Sequence, residues 1–318
     1  MRWARLIVLT ILLSLCLDVL AREIVALGGI ATGSKSAQIS SGLTDEQKLY
    51  GLSLFWKEVS YNFAHWGSVG DLDWDSAYID YISRVLTTRN DFEYYQEMQR
   101  FCALLKDGHT NVWMPPDMFK KNMDRLPFIM TEIDRRAIVR NVDVLLADQV
   151  PIGTEILEID GKPVKAMIEE DIIPLISTSA PHMYWETAVR SLSSVGAGIL
   201  FGAKGSTAHL KIQKPDGQIE TIDVPRNHYE KQVEWLAPIP RISLSEFRML
   251  DDGVAYMALN DFSRTEIVDE FRARLPDLAA ADAIIIDLRK NGGGNSNNSS
   301  AIVGHFTSVP FKGASWRT

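Results

Sequence analysis

The spacing of apolar positions changes character three times along the chain. From Thr44, apolar residues recur every three to four positions. Leu52, Phe55, Trp56, Val59 and Phe63 form one such stripe, and Thr44 with Gln47 reads as the capping box that opens its helix. A second helix is predicted from about Asp75 to Leu86, with Tyr78, Tyr81, Ile82 and Val85 inward. A third starts near Asn90, carries Phe92, Tyr95, Met98, Cys102 and Leu105 on one face, and stops at Gly108. The simplest reading of these aromatic stripes is the core of a helical domain.

After Pro115-Pro116 the pattern turns to strands. Ala137 to Leu146 is rich in Val, Ile and Leu. Gly153 to Lys162 contains an alternating strand and an Asp-Gly turn. Ala166 to Ile176 reads as a helix. Ala208 to Gln213 and Glu220 to Val224 flank Pro215-Asp216-Gly217 as a hairpin, and Pro238-Ile239-Pro240 reads as a linker. The last segment is predicted to be a βαβ unit. Val254 to Leu259 is a strand. Ser263 and Glu266 cap a helix lined by Ile267, Phe271, Leu275 and Leu278. Ala283 to Leu288 is a second strand, parallel to the first and buried on both faces. Asn291-Gly292-Gly293-Gly294 then opens onto a short helix from Ser299 to Phe306. A strand, a loop of bare N–H groups and a helix N-terminus together make a place for negative charge. That charge is either a bound anion or a reaction's oxyanion.

Composition narrows this picture. The 318 residues are 46% hydrophobic and 23% charged, an ordinary globular balance, and suffice for two or three domains. The net charge of −8 argues against a broad nucleic-acid surface. Arg2 and Arg5 precede the apolar run Leu6 to Leu17, and Val19-Leu20-Ala21 offers a cleavage site. Residues 1–21 therefore read as a signal peptide, with 22–43 as a Gly/Ser/Ala-rich tether. The apolar run is short for a membrane span, so membrane contact is expected only through this segment. The expected location is exported, periplasmic or extracellular. After cleavage Cys102 is the sole cysteine, so no internal disulfide is expected, and a small core residue is its simplest role.

His109, next to Gly108, stands out among six histidines because a loop at a helix end suits acid/base work. His65, His182, His209, His228 and His305 are less suggestive. No pair has metal-ligand spacing, so no metal site is expected. The glycine run lacks a Gly-Lys-Ser/Thr or GxGxxG pattern, which disfavours a phosphate loop. Ser296, Ser299 and Ser300 lie close by, but none sits in a G-x-S-x-G elbow, and their simplest roles are turn and cap. Asp287 and Arg289 are placed to pair with each other or to orient the loop. Asn297 and Asn298 are glycosylation sequons if the source glycosylates secreted proteins.

Three ordered stretches resemble the tail-specific, or C-terminal-processing, serine peptidases, whose core is shared with the tricorn protease. Leu105-Lys106-Asp107-Gly108-His109-Thr110 resembles the family's histidine motif. Gly153-Thr154-Glu155-Ile156-Leu157-Glu158-Ile159-Asp160-Gly161-Lys162-Pro163-Val164 resembles the signature of its PDZ-like domain. Ile285-Ile286-Asp287-Leu288-Arg289-Lys290-Asn291-Gly292-Gly293-Gly294 resembles its oxyanion loop.

The resemblance implies an α/β and α+β multidomain fold. Residues 44–116 form an N-terminal helical domain, 127–226 a PDZ-like β-rich domain, and 242–318 the start of a crotonase-like βαβ core. It implies a cofactor-free serine endopeptidase acting on exported polypeptides, with their C-termini as one possible handle. His109 is then the general base, and backbone N–H groups of Gly292 and Gly293 hold the oxyanion. The PDZ-like domain then captures a peptide strand or C-terminal carboxylate on an open edge and backbone nest, and Gly153, Thr154, Glu155 and Ile156 contribute to substrate binding. The family's serine follows the glycine loop in a Ser-Ala-Ala/Ser-Glu-like stretch. Ser243-Leu244-Ser245-Glu246 precedes the loop, so the chain is expected to lack its nucleophile and partner glutamate, and to be inactive alone. The oligomeric state is left open. Two other readings are a non-catalytic secreted peptide-binding protein that uses the PDZ-like domain, and an anion-binding α/β protein.

Overall fold

A computed structural model describes residues 42–191 and 196–310. The expected signal peptide and nearly all of the tether lie outside these residues. The chain divides into a short leading unit, Met1–Gln47, and a body, Lys48–Thr318. In the leading unit the capping box forms as expected. The Thr44 N–H donates to Gln47 Oε1 at 2.9 Å, and the Gln47 N–H donates to Thr44 Oγ1 at 3.3 Å.

Helix α1 spans Asp45–Asn62, α2 Trp74–Leu86 and α3 Asp91–Ala103. Asp73 and Asn90 cap α2 and α3 by accepting from the N–H groups of Ser76 and Glu93, which satisfies donors the helices leave open. Trp74 stacks on Phe101 with ring centroids 4.2 Å apart, and Tyr81 and Phe55 pack on the same ring. Phe101 is fully buried, although the expected stripe of α3 omits it. Tyr94, also outside that stripe, is buried and donates its hydroxyl to the Lys48 carbonyl. That hydroxyl lies against Gly51, where a Cβ would stand 2.3 Å from it.

Where strands were expected after Pro115-Pro116, a seven-residue helix α4, Pro116–Asn122, comes first. Pro116 sits in its first turn, where no N–H is missed. Strands β1 (Met123–Arg125), β2 (Phe128–Ile133), β3 (Arg136–Val142), β4 (Glu155–Ile159) and β5 (Lys162–Pro163) follow. A helical run then covers Val164–Ala166, Met167–Ile172 and Ile173–Leu175, and α5 is Met183–Arg190. Next come β6 (Phe201–Ala203), β7 (Thr207–Gln213) and β8 (Ile219–Pro225). The larger sheet runs β2-β3-β4-β7-β8, with β5 on β4, while β1 pairs with β6 separately. Asp160 and Gly161 both take positive φ, 53° and 79°, as a two-residue turn between β4 and β5 requires. Trp185, Ala188 and Val189 of α5 close the core over Phe128, Met130 and Val139.

The last part holds β9 (Ser245–Met249), β10 (Val254–Leu259), α6 (Glu266–Ala273), α7 (Leu275–Ala280), β11 (Ala283–Asp287) and α8 (Ser296–Val303). Strands β10 and β11 are parallel, with Val254 opposite Ala283 and Ala258 opposite Asp287. Met257, Leu259, Ile267, Phe271, Leu278 and Ile302 form their core.

Three expectations are corrected here. First, β11 is not buried on both faces: among the described residues it is the edge of a three-stranded sheet, and Ile284 and Ile285 are 39% and 46% exposed. Second, the Ser263–Glu266 capping box does not form. The Ser263 hydroxyl donates instead to Asp261 at 2.8 Å, and Thr265 occupies the cap position. Third, the expected single helix breaks at Arg274, because Pro276 starts a new one.

Candidate functional site

The turn that carries His109 is built by side chains. Helix α3 ends at Ala103, and Lys106 takes a left-handed conformation with φ 49°. Gly108 was expected to stop this helix. It does not, because the left-handed position falls two residues earlier, on Lys106. Asp107 to Thr110 then close a β-turn. The Thr110 N–H reaches the Asp107 carbonyl at 3.3 Å, and Thr110 Oγ1 donates to Asp107 Oδ2 at 2.6 Å. Asn111 donates to the Gly108 carbonyl at 3.0 Å. Ser177 donates its hydroxyl to the Asp107 carbonyl at 2.7 Å, which ties the turn to the segment ahead of α5. From below, the Cys102 thiol donates to the Thr110 carbonyl at 3.1 Å, and burial pushes that thiol up to about 12. Cys102 is thus a small, protonated core residue. His109 sits at the exposed tip, and its imidazole makes no hydrogen bond among the described residues.

Four of the other five histidines are occupied or packed, and His182 is exposed. His209 Nδ1 lies 2.5 Å from Asp223 Oδ1 on the exposed face of the β7–β8 hairpin. His228 packs against Tyr229 and Trp235, and burial together with the nearby Arg125 charge holds it below the usual imidazole range. His65 and His305 lie against Phe63 and Phe271.

The glycine loop follows the carboxyl end of β11, where open α/β sheets place their sites. Asp287 and Arg289 do pair. Arg289 NH2 donates to Asp287 Oδ2 at 2.7 Å, and the Arg289 N–H donates to Oδ1 at 2.9 Å. Tyr256 on β10 donates its hydroxyl to the same carboxylate at 2.6 Å. Arg289 and then Tyr256 hold the Asp287 carboxyl well below the usual carboxylate range. Asn291 clamps the loop. Its Nδ2 reaches the Leu259 carbonyl at 2.7 Å, and its Oδ1 accepts from the Gly293 N–H at 2.7 Å. Phe262 donates its N–H to the Gly293 carbonyl at 2.9 Å, and its own carbonyl accepts from Asn295 and Asn298.

Gly293 and Gly294 have φ of 97° and 134°. At Gly294 a Cβ would lie 2.1 Å from the Ser263 nitrogen, so only glycine fits. The expected pair of oxyanion donors is therefore unequal. The Gly293 N–H is taken by Asn291, whereas the Gly292 N–H has no partner among the described residues. Asn291 lay inside the quoted motif, but its clamp on Leu259 needs the fold. Tyr256 gave no signal, since an aromatic residue in an apolar strand is ordinary.

Gly153, Thr154, Glu155 and Ile156 lead into and begin β4, in the middle of the larger sheet. The Gly153 N–H donates to the Val139 carbonyl, and the Val139 N–H donates to the Thr154 carbonyl. On the other side Glu155 and Ile156 pair with Gln213 and Ile212 of β7. Ile156 and Thr154 are buried, the Thr154 hydroxyl without a partner, and the Glu155 carboxylate pairs with Arg136 at 2.5 Å. This stretch itself offers no open edge, because both sides of β4 are already paired. The strands at the ends of the sheet are β2 and β8.

Among the described residues, no hydrogen bond or ion pair joins His109 to Gly292, Gly293 or Gly294. Two cavities flank the His109 turn, and neither is lined by His109 or by the glycine loop. No serine hydroxyl among the described residues donates to His109. Ser299 donates to the Ser296 carbonyl, and Ser245 to the Glu270 carboxylate.

A helical segment, a β-rich segment closed by a helix, and a βαβ unit with a glycine loop define the mixed α/β class of a PDZ-containing protein. Residues 122–237 match the family model described as PDZ domain, and residues 253–313 match that of Peptidase family S41. The two matches together support a tail-specific S41 peptidase family. No curated protein matches it in sequence. Among solved structures it is similar to mature CPAF complexed with lactacystin, at 16% identity and a TM-score of 0.63, over 81% of this chain and 59% of that one. It is also similar to a serine-to-alanine mutant of CPAF, at 18% identity and a TM-score of 0.58, over 79% of this chain and 57% of that one. At this identity the likeness concerns the fold. The chain spans less than two thirds of the length of these structures. Among the described residues no helix is long and apolar enough to cross a membrane.

Proposed function

We propose that this chain supplies the general base and the oxyanion loop of a serine endopeptidase acting on exported proteins or peptides. The observation that carries the reading is the glycine loop. It stands at the carboxyl end of a parallel strand, inside the segment that matches the peptidase family, with the Gly292 N–H uncommitted. In the proposed reaction a serine hydroxyl attacks the scissile carbonyl carbon and its proton passes to His109. The carbonyl oxygen becomes an oxyanion received by the Gly292 N–H. Collapse breaks the C–N bond, and His109 returns the proton to the leaving amine. Water, deprotonated by His109, then cleaves the acyl-enzyme and restores the serine.

The proposed organisation is a helical domain at 44–116, a PDZ-like domain at 127–226 and peptidase core from 242, exported through residues 1–21. A peptide strand would add to the sheet at β2, beside α5, and not along Gly153–Ile156. In the protein expressed from its native gene, His109→Ala is expected to lower kcat/KM for peptide hydrolysis by about 100- to 10,000-fold at unchanged melting temperature. Unchanged kcat/KM would refute the assignment. Because no described serine reaches His109, residues 1–318 by themselves are expected not to hydrolyse peptide.

The separation of His109 from the glycine loop favours a second reading, a non-catalytic secreted peptide-binding protein. That reading requires peptide binding to survive both His109→Ala and substitution of Gly292.

A further inference from the structure

A cleft of about 490 Å³ lies between the helical segment and the run that precedes α5, within the size range of ligand pockets. Leu72, Leu104, Ile176 and Tyr184 contribute to its apolar lining. Its charged lining residues are all cationic, Arg84, Arg100 and Lys106, with no Asp or Glu among the lining residues and the Tyr81 and Tyr184 rings beside them. Two of these cations share one carboxylate. Arg84 NH2 is 2.7 Å and Arg100 Nε 3.6 Å from Glu97. The Arg84 guanidinium is further fixed 4.2 Å over the Tyr81 ring. The Lys106 ammonium has no hydrogen bond or ion pair among the described residues, and Lys106 holds a left-handed backbone at the root of the His109 turn. A local excess of positive charge around an apolar cleft, in a chain of net charge −8, calls for an anionic and apolar occupant.

We propose that this cleft is a peptide subsite selective for a segment in which acidic side chains alternate with large apolar ones. The proposal rests on the reading of a polypeptide substrate, and it names the sequence class that is drawn toward His109. Side-chain carboxylates suit it better than a chain terminus. A terminal carboxylate is held by a nest of backbone N–H groups, whereas here the donors are a guanidinium pair and an ammonium at separate points. The chain's own residues 22–41 contain one acidic residue, Glu23, and match the cleft poorly.

The test is fluorescence anisotropy on the 318-residue chain. The probe is a pentapeptide alternating leucine or phenylalanine with glutamate, labelled with fluorescein at its N-terminus and amidated at its C-terminus. Replacing both glutamates by glutamine is expected to weaken binding about tenfold, and raising salt is expected to weaken the glutamate probe selectively. Lys106→Gly, which suits the left-handed backbone, is expected to cost about threefold, and Lys106→Glu more. Equal binding of the glutamine probe overturns the proposal, as does unchanged binding to Lys106→Gly. A requirement for a free C-terminal carboxylate, or tighter binding after removal of residues 22–41, overturns it in favour of another occupant. Binding is read without catalysis. Loss of hydrolysis in His109→Ala beside absent probe binding would therefore sink the cleft alone, and the converse would sink the peptidase reading alone.

Discussion

The turn that presents His109 and the loop that presents Gly292 are held by opposite means. The first is fastened through side chains: Thr110 to Asp107, Ser177 to the Asp107 carbonyl, Asn111 to the Gly108 carbonyl and Cys102 to the Thr110 carbonyl. The second is fastened mainly through backbone that only glycine can follow, with Asn291 as its principal side-chain clamp. A turn built from side chains loses its ties one at a time. A loop whose chain path depends on a missing Cβ fails at once.

The largest effect that tests this contrast is Gly294→Ala. Its Cβ would meet the backbone of Ser263 and Phe262 at 2.1 and 2.2 Å, at a φ of 134°. A cost of about 3–4 kcal/mol is expected from strain and displaced chain, measured by urea unfolding. Gly292→Ala, where a Cβ meets open space, is expected to stay within about 0.5 kcal/mol. Similar costs at the two positions would break the comparison.

Next in size is Asn291→Ala. It removes two hydrogen bonds and frees the Gly293 N–H, for about 2 kcal/mol. Asp107→Ala loses a single partly buried bond in the His109 turn and is expected to cost about 1 kcal/mol. The smallest effect is one of rate. Because burial holds the Cys102 thiol protonated, its labelling by a disulfide reagent at pH 8, read in a chain beginning at residue 22, is expected to be slow and to be faster in Asp107→Ala. Rapid labelling of Cys102 in the otherwise unmodified chain would show that the turn is not fastened as described.

Local chemistry was legible in the sequence; placement was not. The Thr44–Gln47 box, the Asp160-Gly161 turn and the Pro215-Asp216-Gly217 hairpin each follow from residues a few positions apart. The parallel pairing of β10 with β11 follows from the handedness of βαβ units. The helix Pro116–Asn122 is too short to display a period. The exposure of Ile284 and Ile285 depends on the order of strands, which no short window contains. The Ser263 hydroxyl is drawn to Asp261, two residues away, and Thr265 takes the cap position, a competition that composition alone cannot rank. At the site, the motifs singled out His109 and the glycines one by one. That Asn291 consumes the Gly293 donor, and that β4 is paired on both sides, are facts of packing.

The contact between Gly51 and the Tyr94 hydroxyl has an evolutionary meaning. The two residues are 43 positions apart, yet Gly51 cannot gain a side chain while Tyr94 stays a tyrosine. Alanine at 51 would collide with the tyrosine oxygen at 2.3 Å. Once Tyr94 has become phenylalanine, that oxygen is gone and alanine at 51 becomes acceptable. The order of mutation then decides which lineages are viable, so the pair should drift together through descendants of this chain, one step permitting the next.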